Sequence, residues 1–171
     1  DSEWNNILQL YFSAINSAAK SIYILTPYLI LDDSMLLALK TAAISGIDVR
    51  IIVPGIIDHR TVFYGSRSYF EELMESGVRI YEYTKGFMHA KVMVVDDIIV
   101  SIGTANLDSR SFRVNFEINS IIYDESFAQI IKNQFKIDFK HSRELDLEEF
   151  KKRKLYKKFL ESVCRLLSPI L

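Results

Sequence analysis

The sequence predicts an α/β fold, a three-layer α/β/α domain whose helices cover both faces of one sheet. Short apolar runs rich in Ile and Val alternate with segments of helical periodicity from Ser21 to Tyr83. Most of these runs end at proline, glycine or an acidic turn, as buried strands do. The stretch from Met88 to Ile102 reads as a tight hairpin, whose strands are antiparallel, so a sheet otherwise built from βαβ crossovers is mixed and mostly parallel.

The elements follow in order. Ser2 is placed to cap a helix running to Lys20, with Ile7, Leu8, Tyr11, Phe12 and Ile15 on one face. Residues 21–26 form a buried strand ended by Pro27. Asp32, Asp33 and Ser34 offer caps for a helix carrying Met35, Leu36, Leu39 and Ala42, which Gly46 stops. Residues 47–53 are the next strand, ended by Pro54-Gly55. After the Asp58-His59-Arg60 loop one helix runs to Ser76 and closes at Gly77. Residues 78–83 are a third strand and Thr84-Lys85-Gly86 a turn. Residues 88–95 and 98–102 pair across Asp96-Asp97, and 116–123 is one more strand. From Asp124 onward the pattern is helical. It ends in a basic amphipathic helix over about 148–167, where six cations from Lys151 to Lys158 interleave with Leu155, Tyr156, Phe159, Leu160 and Val163. The apolar stripe of that helix is expected to pack on the domain, with its charges free to approach an anionic membrane.

With 171 residues, 49% of them hydrophobic, the chain fits one domain over 1–171 with a substantial core. A net charge of −1 weighs against nucleic acid as a partner, because such proteins carry a basic excess. The single cysteine, Cys164, cannot form an internal disulfide and suits a reducing compartment. No apolar run approaches the length of a transmembrane helix. A start at Asp1 that enters a helix almost at once reads as part of a longer protein.

One constellation carries chemistry. His89 and Lys91 are two apart in a predicted strand and so share a face. Asp96 closes that strand. Gly103-Thr104-Ala105-Asn106 follows the return strand, and Glu117 lies in the next. Metal-free phosphodiester transfer needs a nucleophile, a proton donor for the leaving alkoxide, and cations or neutral donors for the phosphoryl oxygens. Imidazole serves as either of the first two, while Lys91, Thr104 and Asn106 suit the phosphate. Asp96 or Glu117 would orient an imidazole and stabilise its cation, and Gly103 would let backbone approach a ligand. His-x-Lys-x-x-x-x-Asp alone arises by chance in about one per cent of chains this size. The added Gly-Thr-x-Asn makes coincidence rarer by orders of magnitude.

The run from His89 to Asp96, followed by Gly103 to Asn106, resembles the signature of the phospholipase D superfamily. Leu107 to Phe112, Asn115-Phe116-Glu117, Thr26-Pro27-Tyr28, Asp58-His59 and the ending Arg165 to Leu171 are similar to the C-terminal half of bacterial cardiolipin synthases. The resemblance implies a phosphatidyl transferase. Two phosphatidylglycerol molecules would give cardiolipin and glycerol through a phosphohistidine, with no cofactor and no metal. It implies a cell-membrane parent with the active domain on the cytoplasmic side. It also implies that the N-terminal half of the same polypeptide brings a second motif, whose histidine attacks phosphorus and leaves His89 as general acid/base. His59 and His141 are followed two residues on by Thr61 and Arg143, so one motif is present and the isolated chain holds a half-site. The alternative is a single-motif homodimeric nuclease or phosphodiesterase. Of the remaining polar residues, Thr26, Tyr28 and His141 are expected to cap element ends, while His59, Arg110 and Arg113 are open between site and surface roles.

Overall fold

The computed structural model describes residues 5–167. Ser2, as a cap, and residues 168–171 lie outside them. In chain order the elements are α1 (Asn6–Asn16), β1 (Ser21–Leu25), β2 (Leu29–Ile30), α2 (Asp33–Ile44), β3 (Asp48–Pro54), α3 (Arg60–Arg67), α4 (Phe70–Glu75) and β4 (Arg79–Tyr83). They continue with β5 (Val92–Val95), β6 (Ile99–Gly103), β7 (Leu107–Asp108), α5 (Ser109–Arg113), β8 (Asn119–Tyr123), α6 (Glu125–Lys140), β9 (Ser142–Glu144), α7 (Leu147–Lys151) and α8 (Leu155–Leu166).

Aspartates start the helices as their short side chains allow. Asp32, Asp108, Asp124 and Asp146 each accept a backbone N–H three residues on, at 2.6–2.9 Å. Gly46 and Gly77 end α2 and α4 at φ +89° and +98°, the left-handed conformation that glycine takes without a Cβ clash.

The seven-stranded sheet has the order β8-β6-β5-β1-β3-β4-β9. β1, β3 and β4 pair in parallel. β5 runs against β1, and β6, β8 and β9 join through antiparallel pairings. Thus β1, β3, β4 and β6 point one way. Strand residues alternate between two cores. Ile22, Ile24 and Ile51 pack with Tyr11, Met35, Leu39 and Phe70 under α1, α2 and α4. Leu25, Ile52 and Val94 pack with Ala128 and Phe135 of α6 on the other face. This is the three-layer arrangement expected.

Several boundaries differ from the expected ones, for physical reasons. The first helix ends at Asn16 because the backbone N–H groups of Ala19, Lys20 and Ser21 go to Asp96. The single helix expected up to Ser76 is two, broken where Ser68 Oγ bonds the Gly65 carbonyl at 2.6 Å. The segment 88–91 lies outside the ladder, so His89 and Lys91 precede β5 rather than sit in it. β9 was not expected. It has no apolar alternation, and its place on the sheet edge comes from pairing with β4 and from the bidentate Arg79–Glu144 contact at 2.7 and 2.8 Å.

The expected amphipathic helix is likewise two helices, α7 and α8, and its apolar stripe does not pack on the domain. Leu155, Phe159 and Leu166 are 83%, 69% and 82% exposed. Instead α8 lies on α3 through buried Cys164 and the ion-paired Glu161, which receives Arg153 Nε at 2.8 Å. Arg165 adds contacts to the Ser68 carbonyl and Glu72, both at 3.3 Å.

Candidate active site

The site forms where the segment before β5, the end of β6 and the loop before β8 converge. Lys91 is buried, and its ammonium donates to the His89 carbonyl at 2.7 Å and faces His89 Nδ1 at 2.8 Å. With Nδ1 engaged, Nε2 is the imidazole nitrogen left for chemistry. Burial, then the Lys91 charge, hold the His89 pKa below its ordinary value, while Asp58 acts in the opposite sense. Burial also lowers the pKa of Lys91, with Glu117 and Asp108 opposing.

Two aromatic rings fix the exposed imidazole. Phe87 stacks on it at 5.7 Å and 9°, and Tyr28 meets it edge-on at 6.0 Å and 87°. Tyr28 donates its hydroxyl to Asp58 Oδ2 at 3.1 Å. Its pKa is pushed up to about 12 by burial and then by that carboxylate, so at neutral pH it is a phenol. Phe87 had no signal in the sequence beyond lying two residues before His89.

One cleft gathers Tyr28, His89, Lys91, Gly103, Thr104, Asn106 and Glu117. Within it the residues differ in what they have to offer. The Asn106 side-chain oxygen is buried with no hydrogen-bond partner among the described residues, so it is an acceptor without a donor, and the amide nitrogen is the atom suited to a phosphoryl oxygen. The Thr104 hydroxyl is occupied, accepting the Ile118 N–H at 3.0 Å. Gly103 serves the protein rather than a ligand, because a Cβ there would lie 2.2 Å from the Ile118 carbonyl and 2.4 Å from Asn119 Oδ1. The Asn119 side chain donates to Tyr11 and Ser101 at 2.7 and 3.0 Å and accepts the Ala105 N–H at 3.2 Å. This half-buried amide, missed in the sequence, positions the Thr104–Asn106 loop.

Asp96 is not brought to the imidazole. It sits past the far end of β5, about 16 Å along the chain from Lys91 at strand rise. Its carboxylate accepts the N–H groups of Ala19, Lys20 and Ser21 at 2.9, 2.7 and 2.9 Å. Burial alone would raise its pKa, but these donors outweigh burial and hold it below the usual carboxylate value. The carboxylate that shares the cleft with His89 and Lys91 is Glu117.

The other polar residues divide similarly. Thr26 bonds the Tyr28 carbonyl at 2.8 Å and accepts the Leu107 N–H at 3.3 Å, bracing β1 against β7. His141 caps α6, and Arg113 pairs with Asp32 at 3.3 Å. His59 is exposed, 3.9 Å from Asp58. Among the described residues no cluster of three His, Cys, Asp or Glu is arranged to hold a metal, and no helix is long and apolar enough to cross a membrane.

The family model described as "Cardiolipin synthase, PLD-like domain" matches residues 11–139, three-quarters of the chain and the whole of this cleft. The chain belongs to this family. Across all 171 residues it is 53% identical to cardiolipin synthase 2 of Bacillus anthracis and 51% identical to the cardiolipin synthase of Halalkalibacterium halodurans. It spans 33% and 34% of those two proteins, about a third of their length. Solved structures share the fold. The phospholipase D family member NUC of Salmonella typhimurium superposes at TM-score 0.70 with 23% identity, over 81% of this chain and 90% of that one. The phosphatidylserine synthase of Haemophilus influenzae does so at 0.71 with 24% identity, over 96% and 45%. For this cardiolipin synthase PLD-like domain the cleft at His89 is therefore the place to seek its chemistry.

Proposed function

We propose that this chain supplies one half of a phosphatidyl-transfer site that makes cardiolipin from two phosphatidylglycerol molecules and releases glycerol. The observation that carries the reading is the contact of the Lys91 ammonium with His89 Nδ1, in one cleft with Asn106 and Glu117. Lys91 and Asn106 hold phosphoryl oxygens, and His89 works through Nε2. A histidine from the N-terminal half attacks phosphorus. His89 gives a proton to the leaving glycerol and then takes one from the incoming alcohol. A phosphodiester anion bound beside Lys91 offsets the ammonium charge that lowers the His89 pKa, so substrate binding favours the protonated ring the first step needs. Glu117, in the same cleft, opposes the lowering of the Lys91 pKa by burial.

The proposal locates the reaction at the cytoplasmic face of the cell membrane. The free Cys164, suited to a reducing compartment, supports it. So does α8, which exposes Leu155, Phe159 and Leu166 beside Lys154 and Lys157, cations without a carboxylate partner among the described residues. In the full-length protein, His89→Ala is expected to abolish cardiolipin formation from phosphatidylglycerol vesicles, measured by thin-layer chromatography of labelled lipid. Retained activity would sink the assignment.

A further inference from the structure

Beside the phosphate-facing cleft lies a second one that the transfer chemistry leaves unused. It runs between the loop after β3 and helix α3, with about 460 Å³ of empty space including its open mouth. Tyr28 and His89 line both clefts, so the two are continuous at the reacting imidazole.

The walls of this second cleft are apolar, formed by Pro27, Val53, Pro54, Val62, Phe63 and Phe70. Its deep polar groups are already matched. Arg67 is ion-paired with Glu82, and Ser66 Oγ accepts the Leu29 N–H at 3.1 Å. Asp58 and His59 also line the cleft, but on its solvent side, where Asp58 accepts the Tyr28 hydroxyl and His59 stays exposed, so the inner wall is apolar. At the mouth, Ile56, Ile57 and Phe87 stay 48%, 48% and 63% exposed, apolar surface that the cores of this domain do not cover.

A diester whose phosphorus sits at His89 has two substituents to place. The glycerol headgroup carries hydroxyls that would lose water here without gaining partners. The diacylglycerol side begins with ester-linked methylenes that gain by leaving water. Resting on the phosphatidyl-transfer reading, we infer that this cleft is an acyl subsite, which takes the glycerol-proximal methylenes of one chain of the phosphatidyl group.

The test is photolabelling of the full-length protein in vesicles of phosphatidylglycerol that carries a diazirine near the ester of an acyl chain. Adducts mapped by mass spectrometry are expected on residues 53–63 and on Phe87. In Ile57→Trp and Val62→Phe that labelling should fall roughly tenfold, the change that fits about two methylenes losing their burial. Ile57 is half exposed, so its variant retains the fold even if Val62→Phe does not. Adducts confined to other surfaces, or labelling of these residues unchanged in Ile57→Trp, would overturn the subsite. Labelling needs no turnover, so this outcome is separate from that of His89→Ala in the transfer assay.

Discussion

Asp96, the third residue of the motif, is a brace. At φ +55° it aims its carboxylate at three consecutive N–H groups between α1 and β1, donors that no helix or strand satisfies. Removing a charged acceptor from such donors costs stability rather than chemistry. Asp96→Asn is expected to lower the unfolding free energy by about 2–3 kcal/mol, read by urea denaturation. Its folded pKa is depressed, so the contribution is complete above the unfolded value of about 3.9 and is lost as pH falls through the lower folded value. The gap between wild type and Asp96→Asn should therefore close as pH falls below about 4. A gap that stays constant over that range would assign the loss to something other than this carboxylate. His89 and Lys91 work the other way round, since burial disfavours the charged form of each and lowers its pKa, as at sites poised for chemistry.

Among the elements, α8 departs most from ordinary packing. An amphipathic helix usually buries its apolar stripe. Here Glu161 sits 2% exposed between Arg153 and Arg67 and, with Cys164, takes the face against α3, turning the stripe outward. Burial raises the Glu161 pKa despite those arginines. An outward stripe flanked by Lys154 and Lys157 suits an anionic bilayer surface. Paired Lys154→Glu and Lys157→Glu should weaken co-sedimentation of the described domain with phosphatidylglycerol vesicles by roughly tenfold or more, each cation near such a surface contributing about 1 kcal/mol. Equal binding to phosphatidylglycerol vesicles before and after the change would contradict it.

For the molecule as a whole, the cleft at His89 is open. His89 is exposed, and beside it Phe116 and Ile118 are 95% and 74% exposed on either side of Glu117. One imidazole cannot both attack phosphorus and protonate the alkoxide that departs in the same step. The isolated chain is therefore expected to show no phosphatidyl transfer at high dilution. Turnover whose specific rate does not change on serial dilution would show that one copy suffices.

The strand and helix order was legible because periodicity depends on neighbours close in sequence. Ile22 and Ile24 alternate with Tyr23 and Leu25 between two cores, as their spacing requires. The residue types at His89, Lys91, Thr104 and Asn106 were legible for the same reason, and they do meet in one cleft. What the chain order hid depends on contacts between distant segments. Tyr28 meets the imidazole from a segment far away in sequence, and the fold lays the neighbouring Phe87 on its face. Asp96 exchanges a presumed place at the imidazole for three N–H groups some 76 residues away. β9 exists because β4 offers it an edge, and α8 turns its stripe outward because buried arginines claim Glu161. By itself the sequence determined the order of the layers and which groups are candidates for the chemistry. Only the tertiary structure decided which of those groups reach the cleft, since a carboxylate goes to whichever unmet donors folding brings nearest.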